Sequence, residues 1–225
     1  MHRDDFLRED QVNAKQYVGT TELSGQLQFE LLEKEGLTPS AKVLDVGSGA
    51  LHAGFILAKY LEPGNYVSIE PNQWLTEEAL KESEVKEEME KKKALFLKVT
   101  DFDGSSLGLF DFVLAHSVLS HAAYYQLEQF LRNTSKALTP KGKILASLRL
   151  AEGNEWGSQG SSDKKDTRNQ EWQYPNNSFF ALTTVMEAAR ICGLQAEHKP
   201  EFTKFYTTRR PTEFHDWFVF TRSTQ

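Results

Sequence analysis

The chain holds one cysteine, Cys192, so no disulfide can form within it, and that usage suits a reducing compartment. It lacks any run approaching the ~20 apolar residues that a helix needs to cross a bilayer. Its opening stretch, Met1 to Asp10, is charged and has no apolar core of the signal-peptide kind. Basic residues are outnumbered, 26 Lys and Arg against 32 Asp and Glu, and the pI near 5.6 disfavours a partner made mainly of phosphates. No grouping of His and Cys has zinc-ligand spacing, so no metal is expected. These absences together predict a cytoplasmic, soluble protein with neither a membrane nor a nucleic acid as partner.

What is present is ordinary for a globular chain: 39% hydrophobic and 26% charged residues, with a mean hydropathy of -0.52. A length of 225 residues fits one domain with modest insertions. Residues 1–40 read as a polar arm followed by an amphipathic helix, with apolar positions at Leu27, Leu31 and Leu32, a stop at Gly36 and Pro39 beyond it. Short apolar runs then alternate with helical stretches. Strands are predicted at 42–46, 66–69, 94–99, 112–115 and 143–150, with helices at 51–61, 74–93 and 124–138 and a turn at Pro140-Lys141-Gly142. That alternation implies an α/β fold with parallel strands and helices on both faces. Residues 151–177 are rich in Gly, Ser, Asp and Asn and carry Trp156, Trp172 and Tyr174; a loop of this length inside a domain is expected to be a lid or binding loop. A helix is predicted at 178–192, and runs at 194–198 and 214–221 read as a closing hairpin.

The most informative segment is Val43-Leu44-Asp45-Val46-Gly47-Ser48-Gly49. It puts an acid at the end of a buried strand and then two glycines in the turn before a helix. Glycines there permit positive φ and let a ligand approach the backbone. About twenty residues on, Glu70 ends the next strand, where a carboxylate can accept from ribose hydroxyls. A dinucleotide fingerprint would need a third glycine where His52 stands. Asp45 is also poorly placed beside a pyrophosphate but well placed for an ammonium. The ligand that fits carries a positive amino-acid end and a ribose, as S-adenosylmethionine (SAM) does.

In order along the chain, Asp45-Val46-Gly47-Ser48-Gly49, Glu70, Asp101 and Phe110-Asp111-Phe112-Val113-Leu114-Ala115-His116-Ser117 resemble class I (Rossmann-like) SAM-dependent methyltransferases. The likeness covers residues 42–150 best, and the stretch through Glu70-Pro71-Asn72-Gln73-Trp74-Leu75 resembles a bacterial subgroup of mostly unassigned substrate. This chain departs from that subgroup at Ser48 and His52, and Leu51 stands where the family most often has a further glycine. The resemblance implies a three-layer α/β sandwich around a seven-stranded, mostly parallel sheet, order 3-2-1-4-5-7-6, with the last strand antiparallel. It implies SAM as cofactor, with S-adenosylhomocysteine (SAH) as product. Gly47, Ser48 and Gly49 would meet the methionine end, which Asp45 would organise. Glu70 and Pro71 would lie at the ribose, Asp101 and Phe102 at the adenine, and Ala115 and His116 beside the sulfonium. Asn/Asp-Pro-Pro-aromatic, usual after strand four in amino-methylating nucleic-acid enzymes, is replaced here by Ala115-His116-Ser117-Val118. A magnesium-assisted site would want an acid where His116 stands.

Methyl transfer from a sulfonium is an in-line displacement helped by alignment, and an oxygen acceptor often also needs a base, for which histidine is suited. His116 and His121 are the candidates for it, since both lie at the strand-four edge where open α/β sheets bind ligands. Each has a plainer reading, His116 as packing against the cofactor and His121 as a capping or surface residue. Tyr124 and Tyr125 read as packing, His198 and His215 as structural, and the Glu/Lys-rich helix as a solvated face. The expected function is methyl transfer to an O or N atom of a small-molecule acceptor. A non-catalytic SAM-binding module working with a partner protein, a protein side-chain methyltransferase and a nicotinamide-dependent oxidoreductase are the alternatives.

Overall fold

Three short apolar segments open the sheet: β1 (Val43–Val46), β2 (Tyr66–Ile69) and β3 (Leu95–Leu97). β1 and β2 are buried at every position, as strands covered on both faces must be. They pair in parallel, Asp45 beside Ser68, and β2 pairs in parallel with β3. The structure is a computed structural model describing residues 14, 18, 21–156 and 177–223, with 155 and 156 described by backbone alone. The chain divides into two compact units, Met1–Thr100 and Asp101–Gln225.

In the first unit, α1 (Glu22–Lys34) starts at Thr21, whose hydroxyl accepts from Ser24 N at 3.4 Å, and buries Leu27, Phe29, Leu31 and Leu32. α2 (His52–Tyr60) follows the glycine turn. The single helix expected at 74–93 is instead two, α3 (Gln73–Ala79) and α4 (Ser83–Lys91). The buried residues bear on the break: Ala79 and Val85 would lie about 120° apart around one continuous helix. Splitting the segment lets Leu75 and Ala79, then Val85 and Met89, both turn inward.

In the second unit, β4 (Phe110–Ala115) runs parallel to β5 (Leu138–Leu148), with α5 (Tyr124–Lys136) between them in sequence. The turn expected at Pro140–Gly142 lies inside β5 as an irregularity, because the register passes from Phe110↔Leu138 to Phe112↔Lys143. β6 (Glu155–Trp156) and β7 (Ser178–Phe179) form a small antiparallel pair of their own. The helix expected from 178 therefore starts later, as α6 (Leu182–Ile191). β8 (Leu194–His198) and β9 (Asp216–Arg222) are the late strands, but α7 (Pro200–Arg209) joins them where a hairpin was expected. Pro200 opens that helix, and Phe202 and Tyr206, one turn apart, anchor it.

The sheet has seven strands in the order β3-β2-β1-β4-β5-β9-β8, mostly parallel, with β9 antiparallel to both its neighbours. Numbered within the sheet alone, this is the expected 3-2-1-4-5-7-6 of the Rossmann-like methyltransferase fold. No helix among the described residues is long and apolar enough to cross a membrane.

Candidate functional site

The turn after β1 is shaped by left-handed residues: Gly47 at φ 70°, Gly49 at 53° and Leu51 at 60°. Gly47 N donates to Ile69 O at 2.8 Å, and Ser48 Oγ lies 2.6 Å from Ser68 Oγ, so the turn is tied to β2. Glu70 completes the tie. Its Oε2 accepts from Gly49 N at 3.0 Å and its Oε1 from Asn72 N at 2.8 Å. Leu51 caps α2 without a side-chain hydrogen bond, leaving that helix start uncapped by any side chain.

Asp45 is 4% exposed and accepts from Tyr66 Oη at 2.8 Å. Burial, opposed by the Tyr66 hydrogen bond and joined by the charge of Glu70, pushes its carboxyl up to about 7. Burial also raises Glu70, although two backbone donors pull the other way. Neither carboxylate has a cationic partner among the described residues. Two buried acids without a cation, spare lone pairs on Glu70 and an uncapped helix start suit a ligand with an ammonium, a carboxylate and ribose hydroxyls. SAM has all three, so these residues fit it.

The arm reaches this turn. A Cβ placed on Gly49 would lie 2.9 Å from Val18 Cγ1, and Ala14, Ala50 and Leu75 form a small apolar cluster flanked by Val18 and Trp74. Tyr17 lies outside the described residues. A separate groove of about 680 Å³ lies between α1, α2 and α4, lined by Glu22, His52, Phe55 and Lys59, and includes none of Asp45, Gly47, Gly49 or Glu70.

In the second unit, Asp101 Oδ1 accepts from Asp103 N at 3.1 Å, and its carbonyl accepts from Asn133 Nδ2 at 2.8 Å. Phe102 has φ 65° and meets Phe130 edge to face at 5.6 Å. Ala115 is fully buried at the end of β4. His116, next in the chain, is held on every side. Its Nδ1 is 2.9 Å from Ser147 Oγ, its Nε2 is 2.9 Å from Tyr206 Oη, and its ring stacks on Trp217 at 5.2 Å.

Around it, Tyr206 Oη donates to Glu213 Oε2 at 2.8 Å, and Arg210 donates to the other carboxylate oxygen of Glu213. Burial disfavours the Glu213 carboxylate, but hydrogen bonds and charge from His116, Arg210 and Tyr206 hold it at about 2. His215 is 4% exposed, and burial first, then the charges of His116, Arg149 and His121, depress its pKa well below the ordinary value. His121 closes a short 3-10 turn, Leu119–His121, three residues ahead of α5. Trp172 and Tyr174 lie outside the described residues, and of Trp156 only the backbone is described.

Sequence reasoning singled out His116 but not Tyr206, Arg210, Glu213, Ser147 or Trp217. The only available signal was the one-turn spacing of Phe202 and Tyr206 after Pro200, which marks α7. Arg209 and Arg210 are engaged locally: Arg209 lies over Phe205 at 4.1 Å and Arg210 pairs with Glu213.

Residues 44–144 match the family model of a methyltransferase domain. A search of curated protein sequences returned no match. Among solved structures, the fold resembles Streptomyces venezuelae DesVI, 14% identical, with 99% of each chain covered and a TM-score of 0.62. It also resembles the CcbJ methyltransferase of Streptomyces caelestis, 16% identical over 94% of this chain and 96% of that one, TM-score 0.62. The glycopeptide N-methyltransferase MtfA in complex with SAM is 12% identical over 89% of this chain and 94% of that one, TM-score 0.66. The family match falls on the strands and turn that build the two acids and the glycine loop, and the solved structures share the fold of the whole sheet.

Proposed function

We propose that this enzyme transfers the methyl group of SAM to an oxygen or nitrogen atom of a small-molecule acceptor. The observation that carries the reading is the polar cluster His116, Tyr206, Glu213 and His215 at the carboxyl ends of β4 and β5, the edge where open α/β sheets bind ligands. MtfA, whose fold is similar, is an N-methyltransferase by name, which supports a heteroatom acceptor.

SAM supplies the electrophilic methyl group. Asp45 holds its ammonium, backbone groups of Gly47, Ser48 and Gly49 meet its methionine end, and Glu70 with Pro71 receives the ribose hydroxyls. Asp101 and Phe102 take the adenine role, and Ala115 and His116 the position by the sulfonium. His116, with both ring nitrogens engaged, positions rather than moves a proton. His121 remains the candidate base.

Calorimetric titration with SAH tests the cofactor assignment. Asp45→Asn keeps an acceptor for Tyr66 and should weaken binding about tenfold or more, equivalent to ~1.4 kcal/mol. Glu70→Gln should do at least as much. Folded wild-type protein that binds no SAH would overturn the reading. Release of SAH from SAM, screened over small hydroxyl and amino compounds, tests the acceptor class.

A further inference from the structure

The antiparallel register of β5 with β9 ends at Leu148↔Asp216, which sets Arg149 opposite His215 one step further on. Two residues back, Ser147 is paired with Trp217. Residues opposite one another, and those two apart on a strand, share a face. Arg149, His215, Ser147 and Trp217 therefore occupy one face of this edge, and His116 lies against it through Ser147 and Trp217.

This face holds an uneven set of polar groups. Arg149 Nε, His215 Nδ1 and Trp217 Nε1 are all buried, and all lack a hydrogen-bond partner among the described residues. Trp217 is fully buried and His215 nearly so. Orphaned buried groups are rare in folded proteins, and each costs about 1–3 kcal/mol unless something satisfies it. Among the described residues the guanidinium has one hydrogen bond, from Nη1 to the neutral Asn177 Oδ1 at 2.7 Å, and it lies 5.8 Å from the Phe179 ring. Among the described residues it has no ion pair with a carboxylate, and burial pulls its pKa down. A half-buried cation that finds no counterion among the described residues, in a chain of net charge -6, is costly.

The orphans differ in kind. Arg149 Nε and Trp217 Nε1 can only donate. Ser120 Oγ donates to Ser117 O at 3.1 Å, so it receives the His215 Nε2 proton at 3.3 Å. That leaves His215 Nδ1 as a bare lone pair. The face thus carries two unpaired donors, one of them on a cation, and one unpaired acceptor.

We propose that this face binds the acidic group, carboxylate or phosphate, of the methyl acceptor. Arg149 and the Trp217 indole grip the anion, and His215 Nδ1 accepts from a hydroxyl or amine of the same molecule. The substrate class becomes an organic acid carrying an O–H or N–H group. The inference rests on the methyltransferase reading above.

The test is NMR of the full chain saturated with SAH, following the Trp217 indole N–H, assigned by its loss in Trp217→Phe. Acetate and inorganic phosphate are titrated separately, with acetamide as the neutral control. Saturable shifts with an anion but not with acetamide are expected, and the tighter anion names the acid. Arg149→Gln, which can still reach Asn177, should weaken the anion at least tenfold, while Arg149→Lys should stay within a few-fold of wild type. An indole signal that ignores both anions, or that responds equally in Arg149→Gln, overturns the proposal. SAH affinity measured on the same samples separates the two readings: wild type that binds anion but not SAH would count against the cofactor assignment and leave the anion site standing.

Discussion

Glu70 joins a proposed ligand role to a structural one. Its two oxygens hold the backbone of Gly49 and Asn72, so the carboxylate proposed for the ribose also shapes the turn in front of it. Tyr66 does the same for Asp45, and Gly54 makes room for it: a Cβ there would lie 2.2 Å from the Tyr66 hydroxyl oxygen. Gly54→Ala should force that hydroxyl away and cost about 1–3 kcal/mol as overpacking. Thermal melts and SAH titration should both show it, and an unchanged protein would mean the contact relaxes freely. The acid and the glycines were readable from residue order, because strand, turn and helix place them locally. Tyr66 as the partner of Asp45 was not readable, because that contact joins side chains of adjacent strands.

Among the elements, α7 decides how the second unit's polar cluster is built. It carries Tyr206, whose hydroxyl donates to Glu213 while lying 2.9 Å from His116 Nε2. Tyr206→Phe removes a fully buried donor to a charged group, so a loss of about 1.5–3 kcal/mol is expected in denaturant unfolding. A loss below ~0.5 kcal/mol would show that water or Arg210 takes over. The segment read as plain hairpin because Glu201, Thr203, Lys204 and Thr207 dilute its apolar rhythm; its helix is held by Phe202 and Tyr206 packing inward, a tertiary effect. The split of α3 from α4 has the same origin, since nothing in the local sequence but the buried spacing breaks that run.

For the whole molecule, the displaced carboxyls of Asp45 and Glu213 predict opposite pH effects. Asp45 is raised to about 7, so the folded state holds its proton longer than the unfolded one, and its contribution is present below about pH 4 and lost as pH rises through 7. Asp45→Asn should gain in Tm relative to wild type between pH 5 and 8. A bound ammonium favours the ionised acid, so SAH binding to wild type should release a proton near pH 6–7, visible as buffer-dependent heats. Glu213, held at about 2, contributes above about pH 4 and is lost as pH falls through 2. A flat Tm difference for Asp45→Asn across pH 5–8 would contradict the burial argument. The alternation of apolar runs with helices, the order of the acid-glycine turn and the second acid were determined by the sequence alone, because each rests on contacts within a few residues or on burial demanded by periodicity. The β4-edge network and the orphaned Arg149, His215 and Trp217 were decided only by the tertiary structure, because they depend on the antiparallel return of β9, which brings residues far apart in sequence onto one face.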